Sequence, residues 1–242
     1  MQSYSGIPDT SKWLLAAVFV TLVLWQLPFG YYLLYPFTIL ATWFHEMGHG
    51  LTGILMGGSF YELVLEPNGS GFALMEGPFL FGRIGEAIIS ANGPLGPAFV
   101  GAGMILASRS DKATRICLML LSAAMFISLL IWVRSPTGWV VLPILGASIA
   151  AIANFGKVWM RALAIQFIGL QAVISMFLQW DYLFSYAFSR GGEVILSDTG
   201  QMSEITGLPH WAWAGLILFI AAWVLTSALK SVYGDKAYRR RP

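Results

Sequence analysis

Charge is what this chain has least of: only 11% of its 242 residues are Asp, Glu, Lys or Arg. That is too few to clothe a water-soluble globule, whereas 57% of the residues are hydrophobic and the mean hydropathy is +0.70. A formal net charge of +2, with no basic stripe, excludes a nucleic-acid partner. Cysteine is nearly absent too. Cys117 is alone, so it can close no internal disulfide and leaves no Cys-based metal site; in its apolar segment it reads as a small hydrophobe. The first apolar run follows Asp9 and Lys12 and lacks a small-residue cleavage site, which predicts a retained helix. No repeat, low-complexity tract or long linker divides the sequence. Residues 1–242 therefore read as one integral membrane domain, multi-pass, in the cell membrane with the lipid bilayer as its solvent.

What is present in quantity is apolar run. The pattern predicts an all-α polytopic membrane protein of about seven transmembrane helices, near residues 13–32, 36–57, 83–108, 113–133, 138–155, 158–182 and 211–230. Pro36 fits a first helical position and Gly57-Gly58 a stop. Trp13, Trp139, Trp159, Trp180 and Trp211 fall near the proposed ends, where an aromatic belt belongs. Between the second and third runs, Tyr61 to Glu66 partly alternates, Pro67-Asn68-Gly69-Ser70-Gly71 is turn chemistry, and Phe72 to Met75 is extended again. This predicts a small β-hairpin at the membrane surface, either a simple connector or an edge that holds substrate by strand addition. The third run contains Asn92-Gly93-Pro94-Leu95-Gly96-Pro97, read as an interruption that lines a cavity, with Asn92 as a candidate substrate-binding residue; a proline kink with close glycine packing is the alternative.

Histidine is also rare, with three in the chain, yet two of them stand four apart in His45-Glu46-Met47-Gly48-His49. Residues four apart on a helix face the same way, so both imidazoles can reach one tetrahedral Zn²⁺ while Glu46 reaches a water beside it. In that arrangement the metal acidifies the water and Glu46 is the general base. The bland reading is a set of polar groups satisfied within a bundle. In a hydrocarbon-embedded helix, however, two His and a Glu are costly unless they pair, bind metal or act.

With the hairpin and the Asn-Gly-Pro segment beside it, His45-Glu46-Met47-Gly48-His49-Gly50 resembles the site-2 protease family of intramembrane zinc metallopeptidases. Leu65-Glu66-Pro67-Asn68-Gly69-Ser70-Gly71, Gly93-Pro94-Leu95-Gly96-Pro97, Trp180-Asp181-Tyr182, Ser197-Asp198-Thr199 and Thr206-Gly207-Leu208-Pro209 resemble a branch of it with mostly unassigned substrates. The resemblance implies a hydrolase that cuts a peptide bond of a transmembrane protein substrate. It also implies a third metal ligand from an Asp in a Leu-Asp-Gly motif, which this chain lacks. Seven crossings would place Asp181, Asp198 and His210 on the side toward which His49 points. Asp181 is preferred, because it follows a long apolar run where an unpartnered acid is costly. Asp198 also fits a helix cap, and His210 beside Pro209 and Trp211 fits an interface. Glu86 reads as a solvated acid.

Charge distribution and the resemblance point to opposite orientations. Basic residues crowd the side opposite the hairpin, which the positive-inside rule assigns to the cytosol, whereas the resemblance implies a zinc site nearer the cytosolic face. Intramembrane endopeptidase is the expected function. A metal-binding membrane protein without peptidase activity, a carrier or a pseudoprotease that binds a partner helix, is the alternative, and an intact Glu46 favours the enzyme.

Overall fold

A computed structural model describes residues 11–234; Asp9 and the basic residues Lys236, Arg239, Arg240 and Arg241 lie outside them. The described chain is mostly helical, with two small antiparallel sheets. Five helices are long and apolar enough to cross a membrane. They are α3 (Arg83–Ala107), α4 (Asp111–Ile131), α5 (Pro136–Phe155), α6 (Val158–Leu178) and α9 (His210–Leu229), the last continuing into a π-helical turn, Lys230–Gly234. Before them come α1 (Ser11–Trp25), only 15 residues long, and α2 (Gly30–Leu55), which has the length to cross but owes its lower hydropathy to Thr, Tyr, Gly, His and Glu.

Local chemistry sets several boundaries. Ser110 caps α4 by accepting from the Ala113 amide, and Pro136 opens α5 at a position that needs no amide donor. Pro36, expected to start α2, lies inside it instead. The expected interruption of α3 is also not there: the helix is continuous through Pro94 and Pro97. Membrane helices tolerate proline where neighbours cover the backbone it frees, and here α2, α6 and α9 pack around α3.

Two β-hairpins complete the fold. β1 (Ser59–Leu65) pairs with β2 (Gly71–Glu76) around a turn in which the Ser70 amide donates to Asn68 Oδ1 and Gly69 takes φ 92°. The hairpin runs back along α2 rather than leaving it. Phe60 fills the space beside Gly50, Met75 that beside Gly53, and Gly71 lies against Thr42 and Glu46. Its outer edge is tied to the chain after α4, where the Leu63 amide donates to the Trp132 carbonyl and the Arg134 amide to the Leu63 carbonyl. The second hairpin, β3 (Ala187–Arg190) and β4 (Glu193–Leu196), turns on Gly191-Gly192, both at positive φ. It follows the short helix α7 (Trp180–Phe184) and precedes α8 (Asp198–Thr206), which stops at Gly207 in the left-handed conformation.

α2 is the hub. Ile39, Leu40, Trp43, Phe44 and Met47 are buried in the main core with Leu63 and Leu65 of β1 and with residues of α3, α4, α5 and α6. Trp43 Nε1 donates to Ser128 Oγ of α4 at 2.9 Å, satisfying the one polar atom of a buried indole. α3 and α6 touch backbone to backbone at Gly101 and Gly169, the small-residue contact that membrane helices use in place of a hydrophobic drive. Cys117 packs, half-buried, against the main core.

Candidate metal centre

His45 and His49 face the same side of α2, as their spacing dictates, and their Nε2 atoms lie 3.1 Å apart. His49 is fixed by α3. Its Nδ1 is 2.9 Å from the Ile89 carbonyl, which can only accept, so Nδ1 carries the hydrogen and Nε2 presents its lone pair inward. The imidazole reaches that carbonyl because Gly93 has no side chain; a Cβ there would stand 2.1 Å from His49 Nε2. Gly48 in turn packs on the Asn92 carbonyl. The Gly-Pro run of α3 is thus the surface on which the two-histidine motif rests.

The third member arrives from far along the sequence. Ser197, at the N-cap of α8, accepts from the Gly200 amide and donates to the Ser185 carbonyl, while Thr199 Oγ1 donates to the Leu183 carbonyl. Ser90 of α3 also bonds Gln201. These ties seat the start of α8 against α3 and α7, and Asp198, the first helical residue, points at the imidazoles. Its Oδ2 is 3.1 Å from His45 Nε2 and its Oδ1 is 3.2 Å from His49 Nε2. His45, His49 and Asp198 are all buried. Burial alone would raise the Asp198 carboxyl, but the facing imidazoles hold it below the usual carboxylate range.

These donors fit a zinc ion. Zn–N and Zn–O bonds of about 2.0–2.2 Å at tetrahedral angles set ligand atoms roughly 3.3–3.5 Å apart, close to the separations found. Although Oδ2 is 3.1 Å from His45 Nε2, it makes no well-aligned hydrogen bond, and it is buried without another partner. The atoms converge on a common point rather than on each other, the disposition expected of metal ligands. Among the described residues this is the one group of three such side chains close enough to hold an ion.

Glu46 is buried beside the cluster and, with His45, lines a cavity of 720 Å³. Thr38, Thr42 and Glu46 of α2 form one wall, and Gln171 and Ser175 of α6, with Gln179 at its C-cap, form another. At the mouth Arg190 crosses from β3 to the first hairpin. It pairs with Glu66 at 3.3 Å, donates to the Gly71 carbonyl at 2.9 Å and covers the Phe72 ring at 4.6 Å.

The structure therefore brings together His45, Glu46 and His49 as the motif requires, with Asp198 rather than the preferred Asp181. Asp181 is exposed on the cavity wall and lies outside the cluster. The reason is local: α6 stops at Leu178, and the separate turn of α7 aims Asp181 away while Tyr182, its neighbour, sets its ring edge-on to His45 at 6.1 Å. Asn92 does not line the cavity; its amide donates to the Ile88 carbonyl of its own helix. His210 is taken up by the Phe184 carbonyl and meets the Tyr186 ring edge-on, and Glu86 is exposed. Sequence reasoning missed Tyr182 and Arg190 as members of the site, although Trp180-Asp181-Tyr182 was among the segments carrying the resemblance.

No curated protein and no solved structure matches the chain. The model of one family, described as Peptidase M50B-like, matches residues 13–228 and agrees with the resemblance to site-2 proteases. With nearly all of its described length matched, this chain belongs to the peptidase M50B-like family.

Proposed function

We propose that the protein is a zinc-dependent intramembrane endopeptidase that hydrolyses a peptide bond of a transmembrane protein substrate. One observation carries the reading: two imidazoles and a carboxylate converge at 3.1–3.2 Å, with a second carboxylate, that of Glu46, on the wall of the adjoining cavity. His45, His49 and Asp198 are the metal ligands, and the metal when bound supplies Lewis acidity to the scissile carbonyl and to water. Glu46 takes the proton of the attacking water and returns it to the leaving amine, which avoids expelling an amide anion. The Ile89 carbonyl holds His49 in the tautomer that ligation needs. The cavity admits an unwound stretch of substrate, whose backbone polar groups find partners in Thr38, Thr42, Gln171 and Gln179 rather than in lipid.

In this reading residues 1–242 form one catalytic domain. α1 and α2 cross the bilayer with the five apolar helices, giving seven crossings, and the β1–β2 hairpin reaches the membrane surface at its turn. A non-proteolytic metal binder would have no use for Glu46 at this place. Glu46→Gln decides between the two readings: it should keep the metal and lose cleavage of any substrate that the wild type cuts. Cleavage at the wild-type rate would remove Glu46 as the base.

A further inference from the structure

A second concavity lies at the other end of the helical bundle. α3 passes His49 at Gly93 and ends at Ala107, on the order of 20 Å further along, and the next helix begins beside a groove of 740 Å³ between α4 and α5. The floor of the groove is hydrocarbon: Ile116 is 49% exposed and Leu120 65%, with Met119 and Ala123 beside them. Its head is polar and holds Asp111, Lys112, Arg115 and Asn154.

The charges at the head do not cancel. Arg161 engages both oxygens of Asp111, Nε to Oδ1 at 2.8 Å and Nη2 to Oδ2 at 2.7 Å, so the one acid is already neutralised by a cation outside the groove. Arg115 donates from Nη2 to Asn154 Oδ1 at 3.0 Å. That bond bridges α4 and α5 and holds the guanidinium at the head with most of its five donors uncommitted. The Lys112 ammonium is exposed and has no hydrogen bond or ion pair among the described residues. The N-terminus of α4, capped by Ser110, adds its partial positive charge at the same place.

We propose that this groove binds an anionic phospholipid. The phosphate sits between Lys112 and Arg115, and one acyl chain lies along Ile116, Met119 and Leu120, following α4 for about 12 Å from Arg115 to Ala123. A soluble anion would gain nothing from the apolar floor. A zwitterionic lipid would bring its own cation and repel the two at the head. The headgroup charge and the hydrocarbon together specify the ligand class, and basic pockets between membrane helices are where such headgroups collect.

Native mass spectrometry of the full chain, released from detergent after incubation with equal amounts of phosphatidylglycerol and phosphatidylcholine, reads the site directly. The wild type should retain phosphatidylglycerol in preference. Lys112→Gln, at an exposed position that carries no packing, should reduce that preference about five-fold, the effect of one cation near a headgroup, and Lys112→Arg should restore it. Arg134→Gln, which removes a cation at the opposite end, should leave it unchanged. Equal retention of the two lipids by the wild type, an unchanged preference in Lys112→Gln, or an equal loss in Arg134→Gln would overturn the proposal.

Discussion

Gly93 of α3 lies so close beneath the His49 imidazole that a Cβ at that position would stand 2.1 Å from Nε2. Gly93→Ala must therefore push the ring off its place or separate α2 from α3, and either change moves an imidazole that we propose as a metal ligand. We expect zinc affinity to fall by at least about ten-fold, the scale of a disturbed ligand support. Gly103→Ala is the control, since nothing lies within 4 Å of a Cβ there on the same helix. Competition with a graded chelator measures both variants. Equal zinc affinity in the two would show that the Gly93 contact does not position His49.

Ser197 links the fold to the site in a second way. Its hydroxyl caps α8 and ties it to the Ser185 carbonyl, so Ser197→Ala should cost about 1 kcal/mol in thermal or denaturant unfolding. Because Asp198 is the next residue, zinc affinity should fall as well. Restoration of both by Thr, which keeps a hydroxyl acceptor, would separate capping from an unspecific loss of fold. A variant that loses stability but binds zinc as tightly as the wild type would mean that Asp198 does not depend on the cap.

The latch at the cavity mouth is expected to be weak. Arg190 and Glu66 are both partly exposed, so a double-mutant cycle with Arg190→Gln and Glu66→Gln should give a coupling below about 1 kcal/mol that shrinks as salt is added. A larger, salt-independent coupling would mark the pair as a buried strut.

Two of the three side chains that converge at the site were legible in the sequence because helical geometry alone brings residues four apart to one face. The third was not. Asp198 meets His45 only after α7, a hairpin and a cap have reversed the chain, and its sequence context favoured a cap, a role that Ser197 fills instead. Asp181 drew attention as an acid at the end of an apolar run, but the break between α6 and α7 turns it outward. For the Gly-Pro run of α3 the structure follows the second of the two readings, close packing at the glycines, rather than the interruption. Proline and glycine there suggested a broken helix with Asn92 exposed to substrate, whereas the helix continues and the glycines serve as a seat for His49. The apolar runs marked the five long apolar helices well, since length and hydropathy are local properties. The second hairpin escaped notice because Ala187–Arg190 and Glu193–Leu196 are too short for their alternation to register.

The distribution of charge makes the orientation testable. Arg109, Lys112, Arg115, Lys157, Arg161 and Lys230 lie where α3, α4, α5, α6 and α9 meet the end away from the metal centre; against them stand Arg83, Arg134 and Arg190 at the other end and, if α1 crosses, Lys12. The positive-inside rule assigns the first end to the cytosol, whereas the resemblance implies the opposite. In a Cys117→Ser background, Glu193→Cys should react with a membrane-impermeant maleimide added outside intact cells, and Lys157→Cys should react only after lysis. The reverse pattern would place the cavity mouth in the cytosol.

The central claim is the identity of the three ligands. Zinc content of protein purified without chelators, measured side by side for the wild type, Asp198→Ala and Asp181→Ala, tests it most directly. The expected result is about one zinc per chain in the wild type and in Asp181→Ala, and little or none in Asp198→Ala, where two imidazoles alone must hold a dication. Zinc retained in Asp198→Ala but lost from Asp181→Ala would contradict the account.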